Sequence, residues 1–217
     1  MSETILVTGA SAGFGQAICR RLVADGYRVI GSARRIEKLQ ALQEELGEAF
    51  YPLQMDVTDL SQVDHALASL PKAWERVDVL VNNAGLALGL APAYEAEVAD
   101  WLTMIQTNIV GLTYLTRKIL PQMVERNDGY IINLGSTAGT VPYPGANVYG
   151  ASKAFVKQFS LNLRADLAGK KIRVSNIEPG LCEGTEFSSV RFKGDEKRVE
   201  ALYRGAHAIQ PEDIANT

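Results

Sequence analysis

The chain has 217 residues, of which 47% are hydrophobic and 22% charged, and its formal net charge is −3. This length is enough for a domain with a sizeable core, and the weak charge gives no reason to expect nucleic acid or an anionic membrane as a partner. No apolar run reaches the roughly 18 residues of a membrane helix, and the sequence starts without the basic and apolar regions of a signal peptide. The few cysteines and histidines match no zinc or redox spacing, so we expect a reduced, cytoplasmic protein without a metal site.

Apolar runs alternate with helical patterns along the chain. Strands are predicted at residues 4–8, 27–32, 49–54, 77–81, 130–134 and 172–177, and helices at 36–46, 60–70 and 149–167 among others. Nearly all-apolar strands that alternate with helices are typical of a parallel sheet covered on both faces. We therefore predict a single α/β domain over residues 1–217, with a doubly wound Rossmann-type sheet and three αβα layers.

The last residues have the pattern of a helix start. Pro211 stands at the first helical position, and Glu212 and Asp213 place acids in the first turn, but the sequence stops at Thr217. An isolated helix of that length is not stable. We therefore expect that a natural C-terminal segment is absent from this sequence.

A glycine-rich turn joins the first predicted strand to the first helix. Glycines permit a tight turn and close backbone approach, and the N–H groups at a helix start suit a pyrophosphate. The spacing Gly-x-x-x-Gly-x-Gly differs from the standard dinucleotide fingerprint, but the strand–turn–helix context favours a nucleotide site over a plain turn. The candidate residues are Gly9, Ala10, Ser11, Ala12, Gly13, Phe14 and Gly15.

The end of the second strand indicates which dinucleotide binds. Enzymes that use NAD place a carboxylate there for the ribose, whereas enzymes that use NADP place a cation for the 2′-phosphate. Here Arg34 and Arg35 follow the strand and no acid does. The arginines are either solvated or bind a phosphate; because arginine at a helix start opposes the helix dipole, we predict NADP.

Asp56 follows the third predicted strand and has two possible roles. It is placed to meet an adenine at the carboxyl edge of the sheet. It is equally placed to cap a turn or helix beside Thr58 and Asp59. The sequence alone does not separate these roles.

Tyr149 and Lys153 are the candidate chemical pair. On the predicted helix their spacing of four residues places the phenol and the ammonium on one face. A neighbouring cation favours the phenolate, so we expect the pKa of Tyr149 to fall toward working pH, where a phenol can exchange a proton with an alcohol or carbonyl oxygen. By itself the spacing also fits a surface tyrosine beside a solvated lysine.

Two further polar residues stand in positions typical of a site. Ser136 directly follows the fifth strand, where ligands of parallel sheets bind, although it is also an ordinary loop serine. Asn108 lies within an apolar helical stripe, and a buried amide needs partners, so it ties a structural network, binds a functional water, or does both. The stripe consists of Trp101, Met104, Ile105, Ile109, Leu112, Leu115 and Ile119.

Together these motifs resemble, in order and spacing, those of the classical short-chain dehydrogenase/reductases, from residue 4 to the end of the chain. The stretches at 86–89, 123–127, 135–139 and 184–194 are most similar to bacterial NADP-dependent 3-hydroxy acid (serine) dehydrogenases. The matching positions are the glycine turn, Asp56, the Asn-Asn-Ala-Gly run at 82–85, Asn108, Ser136, Tyr149, Lys153, Pro179 and Gly180.

The resemblance implies a role for each candidate catalytic residue. Ser136 would hydrogen-bond the substrate oxygen and Tyr149 would be the acid and base. Lys153 would hold the nicotinamide ribose and lower the pKa of Tyr149, and Asn108 would anchor a water in a proton relay.

The resemblance also implies further cofactor contacts. The family usually has Pro-Gly-x-x-x-Thr, with the threonine at the nicotinamide carboxamide, and this sequence has one extra residue before Thr185. Asn83, Ala84 and Gly85 would line the adenosine side of the cleft. The remaining implied contacts are Asp56, Val57, Pro179, Gly180 and Leu181.

The segment at residues 186–197 is charged and lies where the family closes over its substrate. Arg191 and Lys193 are candidates for binding a carboxylate, with arginine the better bidentate donor, although a solvated basic loop is the alternative. The expected substrates are small 3-hydroxy acids, namely serine, allo-threonine and 3-hydroxypropionate, or malonic semialdehyde in the reverse direction.

Two other functions stay open at this stage. One is an NADPH carbonyl reductase of bulkier ketones, which only the segment at 186–197 would distinguish. The other is a non-catalytic dinucleotide-sensing protein, against which the presence of all four candidate catalytic residues argues. By resemblance we also expect a homotetramer paired through long helices such as residues 148–169.

Overall fold

The structure, a computed structural model, describes residues 3–217. Its six-stranded sheet has the order β3-β2-β1-β4-β5-β6, and all neighbouring strands are parallel. This is the Rossmann order, in which the chain reverses direction across the sheet between β1 and β4. The strands are β1 Thr4–Thr8, β2 Arg28–Ala33, β3 Phe50–Gln54, β4 Val79–Asn82, β5 Gly129–Leu134 and β6 Ile172–Ile177.

The helices cover both faces of the sheet, and none within residues 3–217 is long and apolar enough to cross a membrane. Side chains of β1 alternate between the faces: Leu6 packs with one buried cluster, Ile5 and Val7 with the other. The helices are α1 Gly13–Ala24, α2 Ile36–Leu46, α3 Leu60–Ala68, α4 Val98–Ile105, α5 Leu112–Arg126, α6 Asn147–Asp166, α7 Phe187–Arg191, α8 Glu196–Tyr203 and α9 Pro211–Ala215.

The predicted three-layer fold is therefore confirmed, and its element boundaries differ by only a few residues. The bounds of β1, α2 and β6 agree with the prediction, whereas β4 begins at Val79 rather than Val77 and α3 ends at Ala68 rather than Leu70. Such differences concern the ends of elements, where the hydrogen-bond ladder frays.

A π-helical segment, Gln106–Gly111, joins α4 to α5 and changes the helical period there. The extra residue per turn rotates the side chains that precede it relative to those that follow. Met104, Leu115 and Ile119 of the predicted apolar stripe are buried, but Ile105 is 36% exposed. The stripe was predicted with one uninterrupted period, which the π segment breaks.

The C-terminal helix α9 is short but not isolated. It begins with a reciprocal capping box between Gln210 and Asp213. Its Ile214 is buried in the cluster formed with α1 and α2. Packing therefore supplies the stability that a single turn lacks.

Candidate active site

The carboxyl ends of the parallel strands border one cleft of about 550 Å³. The cleft lies at the point where the strand order reverses, which is where open parallel sheets bind ligands. Three of the four catalytic candidates, most cofactor candidates and Arg191 line it: Gly9, Ser11, Ala12, Gly13, Phe14, Arg34, Arg35, Asp56, Val57, Asn83, Ala84, Gly85, Ser136, Tyr149, Lys153, Pro179, Gly180, Leu181, Thr185 and Arg191. Ala10 and Gly15 lie buried behind the glycine turn, and Asn108 supports the cleft from below.

The glycine turn, residues 9–15, forms a cradle that side chains would fill. Gly9 has a φ of +68°, and a Cβ on Gly15 would lie 2.3 Å from the Gly9 carbonyl oxygen. The amide of Asn83 supports the turn from below by donating to the carbonyl of Thr8 at 2.7 Å. The exposed backbone in front of α1 thus fits a pyrophosphate group.

Two basic side chains, Arg35 and Lys38, share one acid at the rim of the cleft. The Arg35 Nη2 donates to Ser11 Oγ at 3.0 Å and to Glu186 Oε2 at 2.8 Å, and Lys38 Nζ lies 2.7 Å from Glu186 Oε1. Arg34 is exposed beside them and lines the same cleft. The donor set fits a phosphate monoester, as the sequence predicted for the two arginines.

Asp56 forms the turn that leads into α3. Its Oδ1 accepts hydrogen bonds from the Thr58 backbone N–H at 2.9 Å and from the Thr58 hydroxyl at 2.7 Å, while Asp59 caps the helix. The structure thus shows the turn-forming role of Asp56. Because Asp56 and Val57 also line the cleft, contact with an adenine stays a prediction.

Tyr149 and Lys153 lie on one face of α6, and both are buried. The Lys153 Nζ donates to the Leu134 carbonyl at 2.7 Å, at the end of β5, and lies 5.9 Å from the centroid of the Tyr149 ring. The predicted stacking of phenol and ammonium along the helix is therefore observed.

The turn that carries Ser136, residues 136–139, packs directly on the backbone of α6. A Cβ on Gly139 would lie 2.7 Å from the carbonyl carbon of Lys153, and one on Gly150 would lie 3.0 Å from the Ala138 carbonyl oxygen. The Ser136 hydroxyl accepts a hydrogen bond from the Ala138 N–H at 3.1 Å. The two glycines therefore let the serine approach the tyrosine.

Burial raises the pKa of the Tyr149 phenol, while the hydroxyl of Ser136 and the charge of Arg191 act in the opposite direction. The prediction that Lys153 lowers this pKa toward working pH is wrong for this structure. Burial disfavours the charged form of both groups, and it lowers the pKa of Lys153 itself from 10.5 to about 8. The phenol is therefore protonated at neutral pH.

The side chain of Asn108 is fully engaged within the protein. Its Oδ1 accepts from the Leu86 N–H at 2.9 Å, and its Nδ2 donates to the Leu86 carbonyl at 2.9 Å and to Ser152 Oγ at 3.0 Å. This network joins the π segment to α6 and to the loop after β4. The structural interpretation of Asn108 thus holds, and a role in a water relay stays a prediction.

Two predicted cofactor contacts lie in unexpected places. Gly85 lies beside Lys153, where an added Cβ would lie 3.4 Å from Lys153 Nζ. Thr185, after the extra residue in its motif, lies against the glycine turn, 3.2 Å from the position of a Cβ on Gly13. Its predicted contact with the nicotinamide carboxamide stays a prediction.

The charged segment at residues 186–197 is helical rather than a loop, because α7 and the start of α8 lie within it. Arg191, at the end of α7, is 8% exposed and its Nε donates to the Gly89 carbonyl at 3.1 Å. Lys193 is not available to a substrate in the cleft, since its ammonium lies 2.9 Å from Asp100 Oδ2 and is mostly exposed.

Four residues that line or adjoin the cleft were not predicted. Lys38 follows Arg34 and Arg35 by four and three residues, in the first turn of α2, and that spacing was a usable signal. Phe187 packs against Tyr149 with ring centroids 5.8 Å apart, Tyr203 donates to the Cys182 carbonyl, and Tyr143 lies under the Arg191 guanidinium. No local pattern marks these three aromatic residues, because distant contacts place them.

Comparison with known proteins agrees with this geometry. The family described as short chain dehydrogenase matches residues 3–196. A probable NADP-dependent dehydrogenase of Haemophilus influenzae is 61% identical over 215 residues, which are 99% of this chain and 85% of the relative. The NADP-dependent 3-hydroxy acid dehydrogenase YdfG of Salmonella typhi is 60% identical over 210 residues, covering 97% and 85% of the two chains.

A solved structure described as the closed form of serine dehydrogenase complexed with NADP+ superposes with a TM-score of 0.97 at 58% identity, covering 98% of this chain and 86% of the other. The chain belongs to the short-chain dehydrogenase family. The predictions of a dehydrogenase that acts on CH–OH groups and of NADP as its cofactor are thereby confirmed.

We predict that replacing Lys153 by methionine raises stability at pH 7 while activity falls by about 100-fold or more. Because its pKa of about 8 lies below the unfolded value of 10.5, the lysine destabilises the fold fully below pH 8 and less as the pH rises toward 10.5. Urea unfolding at pH 7 and pH 9.5 measures the difference between the proteins, at most about 3 kcal/mol at pH 7.

The matched control is Lys157→Met, one turn further along α6, where the ammonium pairs with Glu178 and is partly exposed. We expect that its stability difference from the wild type changes little with pH. A Lys153→Met advantage that does not shrink between pH 7 and pH 9.5 contradicts the prediction.

We further predict that Gly139→Ala lowers kcat/KM by about 10- to 100-fold, because the added Cβ pushes the serine turn away from α6. NADPH affinity, measured by fluorescence titration, is expected to stay within about twofold of the wild-type value. The displaced serine would act on the transition state, so its loss slows the chemical step more than it weakens cofactor binding. Gly150→Ala, with its milder contact, should give a smaller loss in the same direction. Wild-type kinetics for Gly139→Ala would show that the close approach does not position Ser136.

Proposed function

We propose that this protein oxidises the C3 hydroxyl of a small 3-hydroxy acid, such as serine, allo-threonine or 3-hydroxypropionate, and catalyses the reverse reduction of a semialdehyde such as malonic semialdehyde. The names of its relatives, a 3-hydroxy acid dehydrogenase and a serine dehydrogenase, support this substrate class. The homotetramer and the cytoplasmic location inferred from the sequence stay predictions.

The observation that carries the proposal is a buried guanidinium in the catalytic cleft. The Arg191 Nη2 is buried and has no hydrogen-bond partner among the described residues, and no described acid lies within ion-pair distance of this side chain. Its Cζ lies 5.5 Å from the ring centroids of both Tyr143 and Tyr149. A buried, unpaired donor of this kind is costly unless an anion binds to it.

The position of Arg191 relative to Tyr149 suits a molecule with both a hydroxyl and a carboxylate. A carboxylate held by the guanidinium fork would bring a hydroxyl on the second carbon from it toward the phenol. Arg191 approaches the tyrosine from the side of α7, while Ser136 approaches from the side of β5. The substrate oxygen would then lie between the serine and the tyrosine.

Tyr149, Ser136 and Lys153 would each have a different role in the reaction. In reduction, the protonated Tyr149 phenol donates its proton to the carbonyl oxygen, while the Ser136 hydroxyl donates a hydrogen bond to that oxygen as negative charge develops. In oxidation, the tyrosine accepts the proton of the alcohol. Lys153, held by the carbonyl at the end of β5, keeps a positive charge behind the phenol. When bound, NADP supplies the hydride acceptor or donor.

The protonated state of Tyr149 favours one direction at neutral pH. A phenol whose pKa is raised by burial stays protonated at neutral pH, so the form that donates a proton is populated and the phenolate that would accept one is scarce. We therefore infer that reduction of a semialdehyde is faster than oxidation of the hydroxy acid near pH 7, and that the oxidation rate rises with pH.

The proposed cofactor contacts lie on both sides of the glycine turn. Arg34, Arg35 and Lys38 would hold the 2′-phosphate, and Lys153 would hydrogen-bond the nicotinamide ribose. These groups follow β2 and β5, which are three strand spacings apart, or about 14 Å. An extended dinucleotide would span that distance.

The proposed function is tested by NADPH consumption across a panel of semialdehydes and ketones, with NADH as the control cofactor. We expect turnover of short semialdehydes with NADPH, and a lower kcat/KM for ketones without a carboxylate. Faster reduction of bulky, uncharged ketones would favour the alternative of a general carbonyl reductase. A preference for NADH would contradict the interpretation of the arginines.

Replacing Arg191 by alanine should raise KM for the hydroxy acid by about 10- to 100-fold, because a charge-assisted hydrogen bond to the carboxylate is lost. The methyl ester of the same acid keeps the hydroxyl without the charge, so its kcat/KM should change much less. Lys193→Ala removes a charge two residues away without touching the cleft and is the control. An equal loss for acid and ester would show that Arg191 does not recognise the carboxylate.

A further inference from the structure

Glu186 occupies the basic site that the phosphate of the cofactor is expected to use. It is the residue before α7, and its two carboxylate oxygens accept from different cations, Arg35 at 2.8 Å and Lys38 at 2.7 Å. Hydrogen bonds from Arg35 and then from Lys38 lower the pKa of Glu186, so the carboxylate is charged at neutral pH. A cluster of two cations and one anion thus closes this rim of the cleft.

The Nη2 nitrogen of Arg35 has no hydrogen left for a further hydrogen bond. The Nη2 group carries two hydrogens, and they point to Ser11 Oγ and to Glu186 Oε2. A phosphate monoester that takes a hydrogen bond from this nitrogen must displace one of these acceptors. Glu186 is the one that a second anion would repel, because two anions on one cation each weaken the attraction of the other.

Glu186 is also linked mechanically to the catalytic end of the cleft. It directly precedes α7, which runs through Phe187 to Arg191. At about 1.5 Å per residue, the five residues span roughly 7.5 Å. Phe187 packs against the Tyr149 ring, and Arg191 stands beside the same ring. One short helix therefore joins the rim at Arg35 and Lys38 to the tyrosine.

We propose that Glu186 is a stand-in for the 2′-phosphate of NADP on Arg35 and Lys38, and that its displacement by the cofactor frees the start of α7, so that Arg191, which already lies beside Tyr149, can adjust to the carboxylate of the substrate. The first half concerns only cofactor binding. The second half rests on the proposed function of Arg191. Glu186 thus acts on α7 and on the selection of NADP over NAD, and not on the reacting atoms.

The first test measures cofactor binding to Glu186→Gln, which keeps the shape of the side chain and removes its charge. Dissociation constants for NADPH and NADH are measured by fluorescence titration, without substrate. Exposed ion pairs are weak, so the loss of the competing charge should have a modest effect: Glu186→Gln should bind NADPH about three- to tenfold more tightly than the wild type does. The affinity for NADH, which has no 2′-phosphate, should change by less than about twofold.

The control variant is Glu183→Gln, which removes the same charge three residues earlier. Glu183 accepts from Gln210 and makes no contact with Arg35 or Lys38. We expect wild-type affinity for both cofactors. If Glu186→Gln binds NADPH no more tightly than wild type, or loses affinity for both cofactors, Glu186 supports the site rather than competing for it and the proposal is wrong.

The second test follows α7 itself by hydrogen exchange. The amides of Val190 and Phe192 donate to the carbonyls of Glu186 and Ser188, so their exchange reports the state of this helix. Without cofactor, they should exchange faster in Glu186→Gln than in wild type or Glu183→Gln. Equal exchange in all three proteins overturns the coupling. Because neither readout uses a substrate, this failure is separate from a failure of the substrate assignment.

Discussion

The hydrogen bond from Lys153 to the Leu134 carbonyl is the contact on which the site depends. It buries an ammonium group against the carboxyl end of β5 and thereby fixes α6, which also carries Tyr149, relative to the sheet. A buried cation that is not paired with an acid lowers the stability of a fold, because burial removes the water that stabilises its charge. The protein retains it because the position of the phenol, and the charge behind it, both follow from this one contact.

A buried polar network below the cleft makes that placement rigid. The Asn82 amide donates to Asn133 Oδ1 at 2.9 Å, and the Asn133 amide donates in turn to Ser160 Oγ at 2.9 Å, which connects β4, β5 and α6. A buried hydrogen-bond network favours one arrangement of its side chains when every donor and acceptor has a partner. The rim formed by Arg35 and Glu186 contrasts with this floor, because its ion pairs are partly exposed and exchangeable. The site therefore combines a floor fixed by buried hydrogen bonds with a rim held by partly exposed ion pairs.

Most of the fold, and the meeting of most candidate residues in one cleft, could be predicted because they leave local signals. Apolar strands, glycines at turns and the spacing of Tyr149 and Lys153 are properties of neighbouring residues. The direction of the Tyr149 pKa could not be predicted, because it depends on how deeply tertiary packing buries the ring. The period change at the π segment and the pairing of Lys38 with Glu186, 148 residues apart, likewise arise only in the folded chain.

The contact of Thr185 with the glycine turn has a consequence for synthesis of the protein. The turn lies near the N-terminus, but Thr185 follows Gly13 by 172 positions. Chains emerge from the ribosome N-terminus first. A nascent chain that has formed only β1, β2 and their helices exposes the glycine turn before Thr185 can pack against it. Stabilisation by bound NADP therefore becomes complete only when most of the chain has been translated, late in biogenesis.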